Sequence, residues 1–328
     1  MYSLVKLDYN EWKNIWRDSS EQNMLQSWKY GESKENIENW KPCRFKIVNE
    51  NSKLVGIVQI LFKKLPMFGY VARINRGPLV FNDNNKEEFI KKYNNSLNAI
   101  LKYLKEKFCI MVQIAPEIDS KYSEKIRLEK LGFKKINAPA WSSYNLSLES
   151  DEESIMMNLN GKWRNCLRKS MKKNLVISQV NSDNREKINL LLNMYSELKQ
   201  KNKFSGISND LLQDLCFSHN NLWKPNIFFA FEDKIDKPIG ALVSITYGNS
   251  SIYLIGITDD IGRKFNANYL LLWEAIINSK NRGCKFFDLG GVNPSTPKGI
   301  AHFKKGLNAN YYSLVGEYRR FIFPSLKR

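Results

Sequence analysis

The chain is poor in metal ligands, with two histidines (His219 and His302) and five cysteines (Cys43, Cys109, Cys166, Cys216 and Cys284) among 328 residues. No two cysteines form a CxxC pair, and no Cys/His spacing suits a zinc cluster, so no metal site is expected. An odd number of scattered cysteines fits reduced thiols in a cytoplasmic protein better than a disulfide framework. Long apolar runs are missing as well, and none approaches the ~20 residues that cross a bilayer. Met1 to Asn10 is mixed and polar, without the pattern of a secretory signal. No serine or cysteine stands at a nucleophile elbow, so His302 has no triad to serve and is assigned a supporting role.

Acid is scarce too. Lys plus Arg number 51 against 33 Asp plus Glu, a formal charge of +18. Residues 1–145 carry 25 basic and 16 acidic side chains and the remainder 26 and 17, so each half is near +9. A field spread evenly over two folded halves attracts nucleic acid, an anionic membrane surface or phosphorylated substrates. A Lys- and Asn-rich source proteome would produce the same count. The length suits two domains, each able to bury its own core.

The halves share a rhythm. In the first, Phe45 to Val48 reads as a strand, 49–53 as a turn and Leu54 to Phe62 as a second strand. Arg73-Ile74-Asn75-Arg76-Gly77-Pro78 reads as a turn carrying two arginines. A helix over Lys86 to Lys107, with Phe89, Tyr93, Leu97, Ile100, Leu101 and Leu104 on one face, precedes a buried strand, Cys109 to Ile114. A short helix over 122–131 and a last strand entered through Gly132-Phe133 follow. The second half opens with a helix over Lys187 to Lys201 and repeats the order: strands at 227–232, 239–247 and 251–257, a turn at 233–237, a helix at 268–281 and a buried strand at 286–289. Seen twice, this α+β order argues for tandem duplication. The acidic stretch Glu149 to Glu153 marks the expected boundary.

Four segments carry chemistry. Asn160 to Asn174 holds six cations and no acid. On a helix, Trp163, Leu167 and Met171 form an apolar seam, with Arg164, Arg168 and Lys172 as a phosphate-gripping ridge beside it; a plain solvated basic face is the simpler alternative. Gln26-Ser27-Trp28-Lys29-Tyr30-Gly31 offers Trp28 and Tyr30 as a stacking surface and Lys34 as a phosphate contact, or else a helix with buried aromatics. Phe286-Phe287-Asp288-Leu289-Gly290-Gly291 ends a strand on two glycines that let backbone lie close to a ligand. Shortly after comes Phe303-Lys304-Lys305-Gly306.

In these blocks, their order and their spacing, the chain resembles over nearly its full length the Fem-type (FemABX) aminoacyltransferases, which include the lipid II:glycine glycyltransferases. The resemblance implies an α+β fold of two tandem GNAT (acyl-CoA N-acyltransferase)-like domains, each a mixed, mostly antiparallel sheet flanked by helices. The expected domains are 1–148 and 149–328, with the C-terminal segment packing back on the first. No heptad insertion interrupts the chain, so it resembles the compact members without a coiled-coil arm. The implied activity moves an amino acid from aminoacyl-tRNA to an amine of a peptidoglycan stem peptide, carried by lipid II or UDP-MurNAc-pentapeptide. No cofactor is implied, because the donor ester is already activated. A cytoplasmic monomer, with peripheral contact at the inner face of the membrane, is the implied setting.

By the same resemblance, Lys304 stabilises the tetrahedral oxyanion, which requires its ammonium to stay charged. Lys34, Trp28, Tyr30, Arg73, Arg76, Tyr253, Asp288, Gly290, Gly291 and Phe303 are the expected substrate contacts. Arg164, Arg168, Lys172, Arg263 and Lys264 are the expected contacts to tRNA phosphate. Ala115 stands where some members place an aspartate, so the leaving proton has substrate phosphate, Glu117 or water as its route. Gly262 to Asn268 lacks the paired glycines that hold a coenzyme A pyrophosphate, which argues against that donor. A GNAT-like N-acyltransferase using a thioester to modify a cell-envelope sugar or natural product is the main alternative, and a non-catalytic RNA-binding protein the other.

Overall fold

The computed structural model describes residues 1–328 apart from 20, 82–84, 123–125, 127, 218–219, 221, 234–236 and 323–328. It divides into two units, Met1–Ser142 with Ser313–Arg328, and Ser143–Tyr312. The expected boundary at 148/149 therefore lies six residues too late. Within that acidic stretch, Glu152 and Glu153 instead open a helix, and Asp151 caps it by accepting from the Ser154 backbone N–H.

The first unit contains β1 (Ser3–Lys6), α1 (Tyr9–Asp18), α2 (Trp28–Glu38), β2 (Lys41–Val48), β3 (Leu54–Leu65), β4 (Gly69–Asn75), β5 (Leu79–Val80), α3 (Lys86–Glu106), β6 (Cys109–Ala115) and β7 (Lys134–Lys135). The chain continues with β8 (Ser142–Ser147), α4 (Glu152–Asn158), α5 (Gly161–Met171), β9 (Leu175–Val180), α6 (Arg185–Asn202), α7 (Asn209–Cys216), β10 (Trp223–Glu232), β11 (Gly240–Tyr247), β12 (Ser250–Thr258), α8 (Asp260–Lys264), α9 (Ala267–Asn281), β13 (Phe286–Asp288), α10 (Lys298–Lys305), β14 (Asn310–Ser313) and β15 (Tyr318–Phe321).

Each unit has one mixed sheet. The first runs β1-β2-β3-β4-β6-β15-β7 with β5 on β3, and the second β14-β8-β13-β12-β11-β10-β9. Both contain an antiparallel meander that meets one parallel pair, β4–β6 in the first and β12–β13 in the second. In each, a long helix (α3 or α9) fills the crossover that a parallel pair requires. The far side of β6 is paired by β15, more than 200 residues later, and the far side of β13 by β8, which precedes it by about 140. A central strand left with an open edge would expose a row of unpaired backbone groups.

Local chemistry explains the helices. Asn85 caps α3 by accepting from the backbone N–H groups of Glu87 and Glu88, and those acids face the positive end of the helix dipole. Tyr93, Leu97, Ile100, Leu101 and Leu104 are buried against Ile60, Ile74, Val112 and Ile114. In the second unit, Trp163, Leu167, Leu271, Trp273, Ile276, Phe287 and Leu307 share one core. Each such large side chain contributes about 1.5–3 kcal/mol of burial.

Some expectations shift. Arg73 lies inside β4 and not in a turn; only Arg76 occupies the turn, in a left-handed conformation with φ of 57°. The helix expected over 122–131 includes residues outside the described set, and the described parts are short 3₁₀ turns at Ser120–Tyr122 and Glu129–Leu131. The turn at 233–237 also falls largely outside the described residues, as does His219. The buried face of α5 is Trp163, Leu167 and Ser170, whereas Met171 is exposed.

Candidate active site

The second unit gathers five of the expected residues, Tyr253, Asp288, Gly290, Gly291 and Lys304, at the C-terminal end of β13. Asp288 pairs with Ile252 across the parallel β12–β13 ladder, which brings the strand end beside Tyr253. A bulge in the β11–β12 pairing falls at this point, and bulges re-aim side chains locally. Asp288 Oδ1 accepts from the Gly290 backbone N–H at 2.7 Å and from the Ser143 hydroxyl at 2.5 Å; Oδ2 accepts from the Tyr312 hydroxyl at 2.5 Å. The Ser143 oxygen also lies 2.8 Å from the Gly290 carbonyl, so its single proton has two acceptors within reach. Asp288 thus ties together the strand end, the start of β8 and the chain after α10, and its carboxylate organises the turn.

Lys304 enters this turn from α10. It is 6% exposed, and its Nζ donates to the Gly291 carbonyl at 3.0 Å and lies 5.1 Å from the centre of the Tyr253 ring. Burial pushes its ammonium down to about 8, against the opposing pull of Asp288. Tyr253 has its hydroxyl pushed up by burial. That hydroxyl lies where a side chain on Gly256 would have to go, with 1.9 Å left for a Cβ.

Phe303 points elsewhere. Its ring meets Trp163 at 5.8 Å and Tyr269 at 5.0 Å, and Trp163 Nε1 donates to the Phe303 carbonyl at 3.0 Å. A Cβ on Gly306 would be 2.6 Å from Trp163 Cδ1, which explains the glycine closing this block. Trp163 thus seats α10 and, through it, Lys304. Tyr269 has its hydroxyl pushed up to about 12, by burial first and by Cys166 second.

The five cations expected at tRNA lie on α5, at its C-terminal cap and on α8. Arg164 donates to the Met157 carbonyl at 2.6 Å, while Arg168 and Lys172 are exposed along α5. Arg263 is held by Asp260 and by the Thr258 carbonyl, and Lys264 is exposed. Asp259 caps this stretch by accepting from the Gly262 N–H at 2.7 Å. The amide that a pyrophosphate would need is therefore already satisfied by a carboxylate.

The first unit holds a second polar cluster at the C-terminal ends of the parallel strands β4 and β6. Arg73 Nε donates to Asn75 Oδ1 at 2.7 Å, and its Nη2 is 3.7 Å from Glu317. Glu317 also accepts from Gln113 at 2.5 Å. Arg76 Nε is 3.4 Å from Glu117, and its guanidinium lies 5.2 Å from the centre of the Trp141 ring. Tyr30 has its hydroxyl pushed up to about 12, chiefly by burial; the nearby charges of Arg73 and Arg76 oppose that rise and Glu38 adds to it. Lys34 pairs with Glu38 one turn along α2. Glu117, Glu317 and Gln113 complete a cluster that sequence spacing could not reveal, because their partners lie 40 to more than 200 residues away.

Trp28 lies outside that cluster. Arg44 covers its ring at 3.6 Å, Tyr9 meets it edge-on at 5.1 Å, and its Nε1 donates to Glu32 at 2.7 Å. Around it the Gln26–Gly31 block forms a buried network. Gln26 Oε1 accepts from the Gln59 N–H at 2.7 Å, Gln26 Nε2 donates to the Asn75 carbonyl at 2.6 Å, and Arg44 Nε donates to Gln59 Oε1 at 2.8 Å. Burial pushes the Arg44 guanidinium down to about 10. A Cβ on Gly31 would be 2.1 Å from Gln59 Oε1 and 2.7 Å from Arg44 Nη2. Gly31→Ala is expected to cost about 2–4 kcal/mol, because it displaces buried partners that have no alternative; chemical denaturation measures the loss.

The model of the FemAB family matches residues 7–129 and 226–326, which covers both of the parallel-strand ends just described. The chain belongs to the FemAB family. It is accordingly an enzyme of the transferase class. A lipid II:glycine glycyltransferase from Staphylococcus epidermidis is 21% identical over 357 residues, covering 85% of this chain and 82% of the relative. Among solved structures, FemX superposes with a TM-score of 0.81 at 14% identity, over 98% of this chain and 97% of FemX. A tandem GNAT protein from the clavulanic acid biosynthesis pathway gives 0.56 at 9% identity, over 99% and 100%. The fold of this FemAB protein is thus α+β, with two GNAT-like units in tandem. Among its described residues no three His, Cys, Asp or Glu side chains are placed to hold a metal ion, and no helix is long and apolar enough to cross a membrane.

Proposed function

We propose that this FemAB protein moves an amino acid from aminoacyl-tRNA to an amine of a peptidoglycan stem peptide, building an interpeptide bridge. The observation that carries this reading is the buried ammonium of Lys304, held on the Gly291 carbonyl at the glycine turn that ends β13. The acceptor nitrogen attacks the ester carbonyl carbon, and the carbonyl oxygen becomes an oxyanion. Collapse forms the amide and breaks the ester C–O bond; the nitrogen loses a proton and the departing ribose hydroxyl gains one. An ammonium has three N–H donors, and with one on Gly291 the others suit the oxyanion. The ester is already activated, so the proposal needs no cofactor.

In the first unit, Tyr30, Lys34, Arg73 and Arg76 are the proposed contacts to the diphosphate that both acceptor forms carry. Arg164, Arg168, Lys172, Arg263 and Lys264 are the proposed contacts to tRNA. Given the S. epidermidis relative, glycine and lipid II are the first donor residue and acceptor to try. The work would be done by a monomer in the cytoplasm, against the inner face of the membrane. A thioester donor is disfavoured by the capped Gly262 amide and the carboxylates of Asp259 and Asp260 beside it.

Incubating the protein with charged tRNA and a stem-peptide precursor should give a mass increase of one amino-acid residue. Turnover with acyl-coenzyme A and no tRNA would replace this reading with the thioester one. At limiting tRNA, raising salt from about 50 mM to about 200 mM is expected to slow transfer about a hundredfold, since about five phosphate contacts are being screened. A flat salt profile would remove tRNA phosphate from the account.

A further inference from the structure

Two turns at one end of the first unit's sheet place large apolar residues where backbone geometry favours glycine. Met67 has φ of 65° and Phe108 has φ of 51°. Met67 occupies the third place of the turn Leu65-Pro66-Met67-Phe68, closed by the Phe68 N–H donating to the Leu65 carbonyl at 3.2 Å. A left-handed third residue after proline marks a type II turn, which selects Gly or Asn there. Phe108 follows α3 and its cap Lys107, where helices commonly exit through Gly. Packing does not repay the strain: Met67 is 99% exposed, Phe68 69% and Phe108 65%.

The two turns lie side by side and are joined through their backbones. The Tyr70 N–H donates to the Phe108 carbonyl at 3.3 Å, and a Cβ on Gly69 would lie 2.6 Å from that oxygen. Segments 63–70 and 105–109 together carry four lysines and one glutamate. Lys64, Lys105 and Lys107 are exposed around the apolar tip.

We propose that this pair of turns docks on an anionic lipid bilayer, with Met67, Phe68 and Phe108 entering the headgroup region and the lysines resting on lipid phosphates. A bilayer surface takes apolar tips and cations together, and both contribute to binding. A second copy of the chain would set lysine against lysine. The proposal holds whatever group the enzyme transfers, because binding is read without substrate.

Sedimentation with vesicles tests it. Vesicles of phosphatidylcholine containing phosphatidylglycerol should bind the protein, and vesicles of phosphatidylcholine alone should bind it far less. Phe68→Ser should weaken partitioning about tenfold, and Lys64→Glu should weaken it further. Met67→Gly removes both strain and side chain, so its Tm should hold or rise while vesicle binding falls. A purely structural turn would move those two readings together. Equal binding by wild type and Phe68→Ser, or no binding to phosphatidylglycerol vesicles, overturns the proposal. A dimer in solution that Phe68→Ser dissociates would hand the patch to a second copy and also overturn it.

Discussion

Replacing Lys304 with methionine is expected to cut transfer by about 10²–10³-fold, the usual effect of losing one oxyanion donor, without lowering stability. Burial holds the ammonium at about 8, below its ordinary 10.5. Between those values the unfolded chain binds the extra proton, so stability rises with pH through that window and is lost as pH falls through about 8. At neutral pH the folded protein therefore carries a buried-charge cost on the order of 3 kcal/mol, which methionine removes while giving up the Gly291 hydrogen bond. A thermal melt at pH 7 should show a Tm equal to or above wild type, and a clear fall would refute this account.

The pH profile offers a sharper check. Wild-type kcat should decline as pH rises through about 8, where the ammonium discharges. Lys304→Arg keeps its charge at all accessible pH, so that alkaline limb should disappear even though the rate is lower. A limb unchanged in the arginine variant would assign it to another group.

Gly290→Ala should damage both stability and chemistry. Gly290 has φ of 71°, and a Cβ there would be 2.7 Å from the Tyr253 carbonyl oxygen and 3.4 Å from Lys304 Nζ. Left-handed strain of about 1–2 kcal/mol and a backbone clash of about 1–3 kcal/mol together predict a loss of about 2–5 kcal/mol. The Gly290 N–H also holds Asp288, so any shift that relieves the clash moves the turn carrying the Gly291 carbonyl away from Lys304. Transfer, assayed at a temperature where the variant is still folded, should drop at least tenfold, whereas a drop matching only the unfolded fraction would make the glycine purely structural. Gly299→Ala is the control: a Cβ there meets nothing within 4 Å, so activity and Tm should hold.

What could be read in advance follows the range of the interactions. The helix over α3, the strands β2, β3, β10, β11 and β12 and the glycine turn after β13 announce themselves locally, through 3.6-residue periodicity, alternation and Gly-Gly, whereas β1 and β4 do not. Charge marks α5 as a basic segment, but helical spacing alone misplaces one member of its buried face. Met171 fits helical spacing as well as Ser170 does, and only the packing of α5 decides which is covered. Trp28 resembled a stacking platform because nothing adjacent in sequence reveals Arg44 lying over its ring. Local sequence places Arg73 and Arg76 in one turn, yet pairing with β3 and β6 draws Arg73 into β4.

The amino-acid sequence by itself determined two duplicated α+β units, their basic field and the block holding Lys304, since each depends on patterns a few residues long. Tertiary structure alone decided the rest. It placed β15 against β6 and β8 against β13, moving the boundary to Ser142/Ser143. It brought Ser143 and Tyr312 onto Asp288, and it shielded Lys304 from water. Strand edges, carboxylate oxygens and a desolvated ammonium are completed by partners distant in sequence, and no local pattern encodes which distant residue will arrive.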